Sequence, residues 1–379
     1  PMKILDIRLT PLLVPYAKPY YWAQGIIHGA EVILVEVETD TGVIGYGESI
    51  ATPSASGVIA FLQAAAAILK GRDPFDNARL MADCNHQLFQ AFGTCSAPRF
   101  SGQVLAGLEM ALWDVMGKAS DRPVHQLLGG ARHDRIGYFG FPQGKTPEEI
   151  AAEAGQMAMD GHEVIYVKLG QGDEIDLEIL AQTRAAIGPR RRLRVDPNEH
   201  WPGTVARRML PQIAKFDIEF VEQPVDAESL SALANLRAVS PIAIAADQSV
   251  FTPYDAYEIC RQNAADLVVL GLHETGGLHR FLKAATICEA AGISVCAHGL
   301  YETGITTCAT HQAAATLPNL DNGNQYMAHF LAWDIVRSPE LRNAPRWMPV
   351  LNGPGLGFTL DPDAVAKAAA LHTAQSRHL

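Results

Sequence analysis

Asp196, Glu222 and Asp247 each close an apolar run: Leu193-Arg194-Val195-Asp196, Phe220-Val221-Glu222 and Ala245-Ala246-Asp247. They stand 26 and 25 residues apart, about one strand plus one helix each. If every run is a barrel strand, the three acids meet at one mouth of that barrel. Carboxylates brought together repel unless a hard cation joins them, so the spacing predicts a Mg²⁺ site. Similar runs end at Lys168 and His298, and in order the strand ends carry Lys168, Asp196, Glu222, Asp247, Gly271 and His298. The gaps between them are 28, 26, 25, 24 and 27 residues. Five of the six positions bear a group capable of acid–base or metal chemistry. Tyr166 lies two residues before Lys168 and therefore faces the same side of its strand.

The elements that must position these groups follow a regular alternation from about Arg135 onward. Strand-like runs end near Phe141, Leu169, Asp196, Glu222, Asp247, Leu270 and His298, with an eighth expected near Leu320–Gln325. Helical stretches separate them at Pro147–Met159, Leu177–Ile187, Val205–Ala214, Leu230–Val239, Tyr254–Arg261 and Leu278–Ala290. Seven units of about 25 residues predict a (β/α) barrel rather than a doubly wound sheet. In such barrels the reactive groups sit at the C-terminal ends of the strands. The first hundred residues read differently. A strand over Glu31–Glu38, a turn at Thr39-Asp40-Thr41-Gly42 and a strand from Val43 precede helices around Val58–Leu69, Asp76–Phe89 and Val104–Lys118. The expected division is an α+β domain over residues 1–125, completed by a tail from about 340 to 379, and a barrel over 126–339.

With 379 residues, 48% hydrophobic and 19% charged, the chain has ample core for a large barrel and an attached smaller domain. A net charge of −11 argues against nucleic-acid binding. The one dense basic run, Arg190, Arg191, Arg192 and Arg194, reads as a solvated helix-to-strand turn. No stretch is long and apolar enough for a membrane helix, and an early acid, Asp6, does not suit a secretory signal. Six cysteines without Cys-x-x-Cys spacing read as reduced thiols. The cytoplasm is the expected compartment.

Taken together, the chain resembles the mandelate racemase/muconate lactonizing branch of the enolase superfamily. The resemblance runs over nearly the whole length. It rests on the strand-end groups, on Ala111-Leu112-Trp113-Asp114-Val115-Met116-Gly117-Lys118, on Pro123-Val124-His125-Gln126-Leu127-Leu128-Gly129-Gly130, on Gly45-Tyr46-Gly47-Glu48 and on Gly276-Gly277. It implies a (β/α)7β-type modified TIM barrel under an N-terminal α+β capping domain. Loops around Pro19–Ile27 and Ile50–Gly57 would then close over the mouth, with Tyr20, Tyr21 and Trp22 available to shield a substrate.

The resemblance places Asp196, Glu222 and Asp247 as Mg²⁺ ligands and Lys168 as the base that removes the proton α to a substrate carboxylate. The sequence departs from the family at two places. Tyr166 replaces the first lysine of the usual Lys-x-Lys. Gly271 stands where lactonizing relatives carry a Lys and racemase relatives an Asp that orients a His. His298 matches that racemase-type His, and Asn324 falls where racemases often carry a Glu. His273 and Glu302 are the candidates to orient His298 in place of the missing Asp. Tyr20, Trp22, Tyr166, Asn198 and Glu302 are expected around the substrate.

The leading expectation is dehydration of a hydroxy acid or sugar acid, because a His without an acidic partner suits protonation of a departing oxygen. Racemisation, epimerisation and muconate-type cycloisomerisation remain alternatives. A Schiff-base aldolase using Lys168 and a non-catalytic binding protein are more distant ones. The expected partners are a small-molecule carboxylate and further copies of the chain.

Overall fold

The computed structural model describes residues 1–91, 97–342 and 346–376. Three strands open the chain as one antiparallel sheet: β1 (Ile4–Trp22), β2 (Gly25–Thr39) and β3 (Ile44–Ile50). The 19-residue β1 is the largest departure from the sequence reading, and it is disguised by Pro11, Pro15 and Pro19. Proline lacks the ladder N–H, and β1 is an edge strand, so the residues are tolerated. Consequently Pro19–Ile27 is the tip of a β-ribbon, not a loop, with Tyr20 opposite Ile27 and Trp22 opposite Gly25. The register slips between Pro15 and Tyr20. Helices α1 (Ala55–Leu69), α2 (Asn77–Asn85) and α3 (Pro98–Ala119) pack on one face of the sheet.

The glycines of the Gly45-Tyr46-Gly47-Glu48 motif bring β3 against α3. A Cβ at Gly47 would stand 2.0 Å from the Gly107 carbonyl oxygen, and one at Gly45 would stand 2.2 Å from that of Ala111. Glu48 is fully buried and joins the sheet to the barrel. Its carboxylate accepts from the backbone N–H groups of Thr303 and Thr306 (3.0 Å each) and from both hydroxyls (2.7 Å each). Two further acids on α3 tie this region to other parts of the chain. Glu109 accepts from the Leu278 and His279 backbone N–H groups, and Asp114 from those of Tyr46 and Leu356.

After the single-turn α4 (Val124–Leu127), the short β4 (Arg135–Gly137) pairs antiparallel with Trp347–Pro349. Six parallel strands then follow: β5 (Val164–Lys168), β6 (Arg192–Asp196), β7 (Ile218–Glu222), β8 (Ala243–Ala246), β9 (Leu267–Gly271) and β10 (Ser294–His298). They lie side by side in sequence order. The helices between them are α5 (Pro147–Met159), α6 (Asp173–Ile187), α7 (Gly203–Ile213), α8 (Leu230–Val239), α9 (Pro253–Gln262), the one-turn α10 (Leu272–Thr275) and α11 (Leu278–Ala290). α12 (Gly304–Ala314) follows β10 and is buried along its whole length.

The strands expected near Phe141 and at Leu320–Gln325 are not regular strands. Single bridges, Gly140 to Ile165, Tyr138 to Asn324 and Val295 to Leu320, close the ring there. The Asn324 side chain replaces part of the missing ladder: Oδ1 accepts from Ala297 N at 2.7 Å and Nδ2 donates to Gly137 O at 2.9 Å. Asn324 is thus a stitch in the barrel wall.

The arginine run is a second correction. Arg194 is fully buried and lies inside the barrel. It donates to Glu219 (2.7 Å), to Asp321 (2.6 Å) and to the Gly323 carbonyl (2.6 Å), with its guanidinium over the Phe220 ring. Strand alternation explains this, since Arg194 shares the inward face with Asp196. The C-terminal helix Pro362–Ser376 lies along the sheet side, where His372 meets Glu31 at 2.8 Å. Residues 377–379 of the expected tail, and Cys95, lie outside the described residues. The other five cysteines are free thiols. Among the described residues no helix is long and apolar enough to cross a membrane.

Candidate active site

Alternation along the strands stacks two inward layers. The lower holds Arg194, Phe220, Ala245, Val269 and Cys296, the last four forming a small apolar cluster of their own with Leu267. The upper layer holds Lys168, Asp196, Glu222, Asp247, Gly271 and His298. In-register pairing sets Lys168 beside Asp196 and His298 beside Gly271.

Asp196, Glu222 and Asp247 converge, each offering an oxygen within 4.8 Å of the others. All three are buried, and Asp247 Oδ1 accepts no hydrogen bond, its one charged neighbour among the described residues being His298 Nε2 at 3.2 Å. A buried carboxylate oxygen left unpaired costs stability unless a cation or water satisfies it. Three hard oxygen donors around such an atom fit a hard divalent cation of the Mg²⁺ kind. Gln223, in left-handed backbone conformation (φ 33), fixes this corner, because its Oε1 accepts from the backbone N–H groups of both Asp247 and Ser249.

Lys168 lies at one end of this arc. Its Nζ is 2.6 Å from Asp196 Oδ2 and 2.9 Å from the Tyr166 hydroxyl. The Tyr166 hydroxyl also donates to Asp196 and reaches Glu222 at 3.5 Å. Tyr166 therefore supplies a phenol, not a second cation, between Lys168 and the carboxylates. Burial draws the Lys168 ammonium down, but Asp196 first among its neighbours outweighs this and holds it above the usual lysine range. Burial, then Asp196 and Asp247, push Glu222 well up, and burial leads in raising Asp247 to about 7.

His298 lies at the other end, its Nε2 3.2 Å from Asp247 Oδ1 and 2.8 Å from Glu274 Oε2. Burial opposes its charge, yet Asp247 and Glu274 together hold the imidazolium well above the ordinary histidine range. The acid that meets the imidazole is thus Glu274, on α10. The two residues expected in that role are engaged elsewhere: His273 Nε2 pairs with Thr306 Oγ1 at 2.8 Å, and Glu302 accepts from Leu300 N at 3.0 Å. Glu302 does not line the cavity.

Above the carboxylates lies a cavity of about 170 Å³. Tyr20 and Trp22 line it from the ribbon tip, and Trp22 meets Tyr301 edge-on at 6.5 Å. Asn198 lines it too, with its Oδ1 buried and unpaired, while its backbone N–H donates to Asp196. Tyr21 turns away toward Lys145, and the Ile50–Gly57 segment contributes nothing to the wall. A larger cavity, about 390 Å³, lies between α2, α3 and α11 and holds none of the strand-end groups. Glu274, Gln223 and Tyr301 are the site residues that strand-end reading misses, because all three lie on turns beyond the strands. For Glu274 the available signal was an acid next to His273 in the turn that Gly276-Gly277 closes.

Residues 5–129 match the mandelate racemase/muconate lactonizing enzyme N-terminal domain, and residues 149–364 match the enolase C-terminal domain-like family. The chain belongs to the mandelate racemase/muconate lactonizing enzyme family of the enolase superfamily, and it is an enzyme. Curated relatives that it resembles include cycloisomerases, epimerases and a racemase. It is 30% identical over 374 residues to muconate cycloisomerase 1 of Rhodococcus opacus, covering 96% of this chain and 98% of that protein. It is also 30% identical over 383 residues to D-galactarolactone cycloisomerase of Agrobacterium fabrum, covering 97% and 98%. The dipeptide epimerase of Enterococcus faecalis V583, solved with Mg and L-Leu-L-Tyr, superposes with a TM-score of 0.86 at 26% identity, covering 94% of this chain and 99% of that one.

Proposed function

We propose that this enzyme removes the proton α to the carboxylate of a small monocarboxylic acid with Lys168, and that His298 serves as the acid or base at the opposite end of the carboxylate arc. Asp196, Glu222 and Asp247 would hold Mg²⁺. When bound, that ion would supply positive charge to the substrate carboxylate. The observation that carries the reading is the flanking of one buried cluster of three carboxylates by two proton-transfer groups. Lys168 Nζ, 2.6 Å from Asp196 Oδ2, accepts the α-proton in its neutral form. Tyr166 keeps its amine aimed at the site from below. Tyr20, Trp22 and Tyr301 keep water from the carbanion-like carbon.

A proton taken at one face and returned at the other inverts the α-carbon, so racemisation or epimerisation is the best supported outcome. The expectation of dehydration rested on a His298 without an acidic partner, and Glu274 removes that ground. Dehydration of a β-hydroxy acid stands as a second reading, favoured by the imidazolium character of His298, which suits protonation of a leaving hydroxyl. Lys168 and His298 are the only cationic side chains lining the cavity among the described residues, against Glu199, Glu222, Asp247 and Glu274. A second substrate carboxylate would find no partner, which favours hydroxyl- or amine-bearing monocarboxylates over muconate-like diacids.

Proton NMR of a panel of such acids in D₂O with Mg²⁺ tests the proposal. It expects deuterium at the α-carbon and inversion, dependent on Mg²⁺ and lost in Lys168→Ala. Exchange that persists undiminished in Lys168→Ala, or exchange only with diacids, overturns it.

A further inference from the structure

The side chain missing from the end of β9 has been supplied from the turn beyond it. Gly271 has φ −98 and ψ 139, ordinary extended backbone that any residue can adopt. Its lack of a side chain answers to space instead. A Cβ there would stand 2.8 Å from His298 Nε2 and 3.1 Å from Glu274 Oε2. Glu274 therefore lays its carboxylate over the bare Gly271 backbone, beside the imidazole. Its turn is firmly held: Thr275 Oγ1 donates to Gly271 O at 2.9 Å, and a Cβ at Gly277 would stand 2.3 Å from Glu109 Oε2. Glu274 is itself 3% exposed and lines the cavity wall.

We propose that Glu274 is the positioning residue for His298 and that Gly271 is the clearance which admits it. The pair does from a one-turn helix what a strand-end acid would otherwise do. This deepens the proposed function, on whose reading of His298 it rests. Glu274 acts through the imidazole, not on the substrate. It accepts the Nε2 proton at 2.8 Å, which fixes the ring plane and the tautomer. Glu274, at 2.8 Å, is a nearer partner of the ring than Asp247, at 3.2 Å. A rival use of the same atoms exists: Asp247, Glu274 and His298 also lie within 4.8 Å of one another and could ligate a second ion. The 2.8 Å contact between Glu274 and Nε2 favours the hydrogen-bonded pair.

The test needs no substrate. The full-length protein, ¹⁵N-labelled at histidine and saturated with Mg²⁺, is compared by NMR at one neutral pH with its variants. The signal absent from His298→Asn identifies His298. Its Nε2 proton is expected downfield in the wild type, to move upfield in Glu274→Gln, and to return downfield in Gly271→Asp/Glu274→Ala, where the space vacated at position 274 takes a carboxylate from the strand end. A merely structural glutamate does not produce that return. Should Glu274→Gln fail to fold, Glu274→Asp, which withdraws the charge by one methylene, is expected to show the same upfield shift. An unchanged His298 signal on loss of Glu274 overturns the proposal. So does a Mn²⁺ count by EPR of two per chain that falls to one in Glu274→Gln. Failure of the exchange assay above would instead sink the proposed function and leave this readout intact.

Discussion

Replacing Arg194 by Met is the sharpest test of how the barrel is held beneath its reactive layer. The guanidinium is fully buried and donates to Glu219, Asp321 and the Gly323 carbonyl. Methionine keeps the apolar stem and removes every donor. Breaking a buried ion pair from one side costs about 3–5 kcal/mol, because the remaining charge is left unpaired. Here Glu219 is 27% and Asp321 18% exposed, and Arg192 lies 2.9 Å from Glu219 and 3.7 Å from Asp321. Water and Arg192 recover part of the loss, so the expected cost is near the lower end, about 3 kcal/mol. Urea denaturation followed by tryptophan fluorescence and by circular dichroism reads it as a lower midpoint. The double variant Arg194→Met/Asp321→Asn should regain part of the difference.

The pH dependence gives an independent check. Burial pushes the Asp321 carboxyl up, but Arg194 pulls it below its usual value overall. A depressed folded-state value contributes stability above the unfolded carboxylate range that is lost as pH falls through the folded value. The gap between wild type and Arg194→Met should therefore shrink on acidification. A variant within 1 kcal/mol of wild type at neutral pH would refute the reasoning, since the roughly 3 kcal/mol charge penalty would then not exist.

Three other outcomes follow from the geometry. Lys168→Ala should reduce α-proton exchange about 10²–10⁴-fold in the D₂O assay, and it should also lower the thermal midpoint of the metal-free protein, because buried Asp196 loses its 2.6 Å partner. Gly47→Ala should cost about 1–3 kcal/mol in urea denaturation, because its methyl would collide with the Gly107 carbonyl and β3 must lift from α3. Burial raises Glu109 from 4.5 to about 7 in spite of the N–H groups of His279, Leu278 and Trp113. The folded state then holds a proton that the unfolded chain releases, so stability should fall as pH rises between those values and level off above. Urea midpoints across that range should show the slope, and Glu109→Gln should flatten it.

Period was the legible part of the sequence. A repeat of strand and helix at about 25 residues located β5 to β10 and their helices, and the strand ends delivered the carboxylate arc with Lys168 and His298. What stayed hidden departs from local pattern. Three prolines masked β1, whose edge position excuses them. Arg194 looked like surface because its neighbours Arg190 to Arg192 are, although its parity with Asp196 sends it inward. The ring-closing segments lack strand character because Asn324 side-chain bonds replace ladder bonds. Glu274 could not be read from strand ends at all, since it comes back to the site from a turn.

The Glu48 carboxylate joins the three-stranded sheet to the barrel, while the Gly47–Gly107 contact holds that sheet against α3. A joint with four donors on one buried carboxylate leaves little freedom for that sheet to swing as a body. Motion at the mouth is then confined to the ribbon beyond the register slip at Pro15, where Tyr20 and Trp22 are carried. Such a tip can admit and enclose a molecule for the cost of flexing a few residues. It can also vary in sequence, and so in what it encloses, without disturbing the framework that holds the reactive groups.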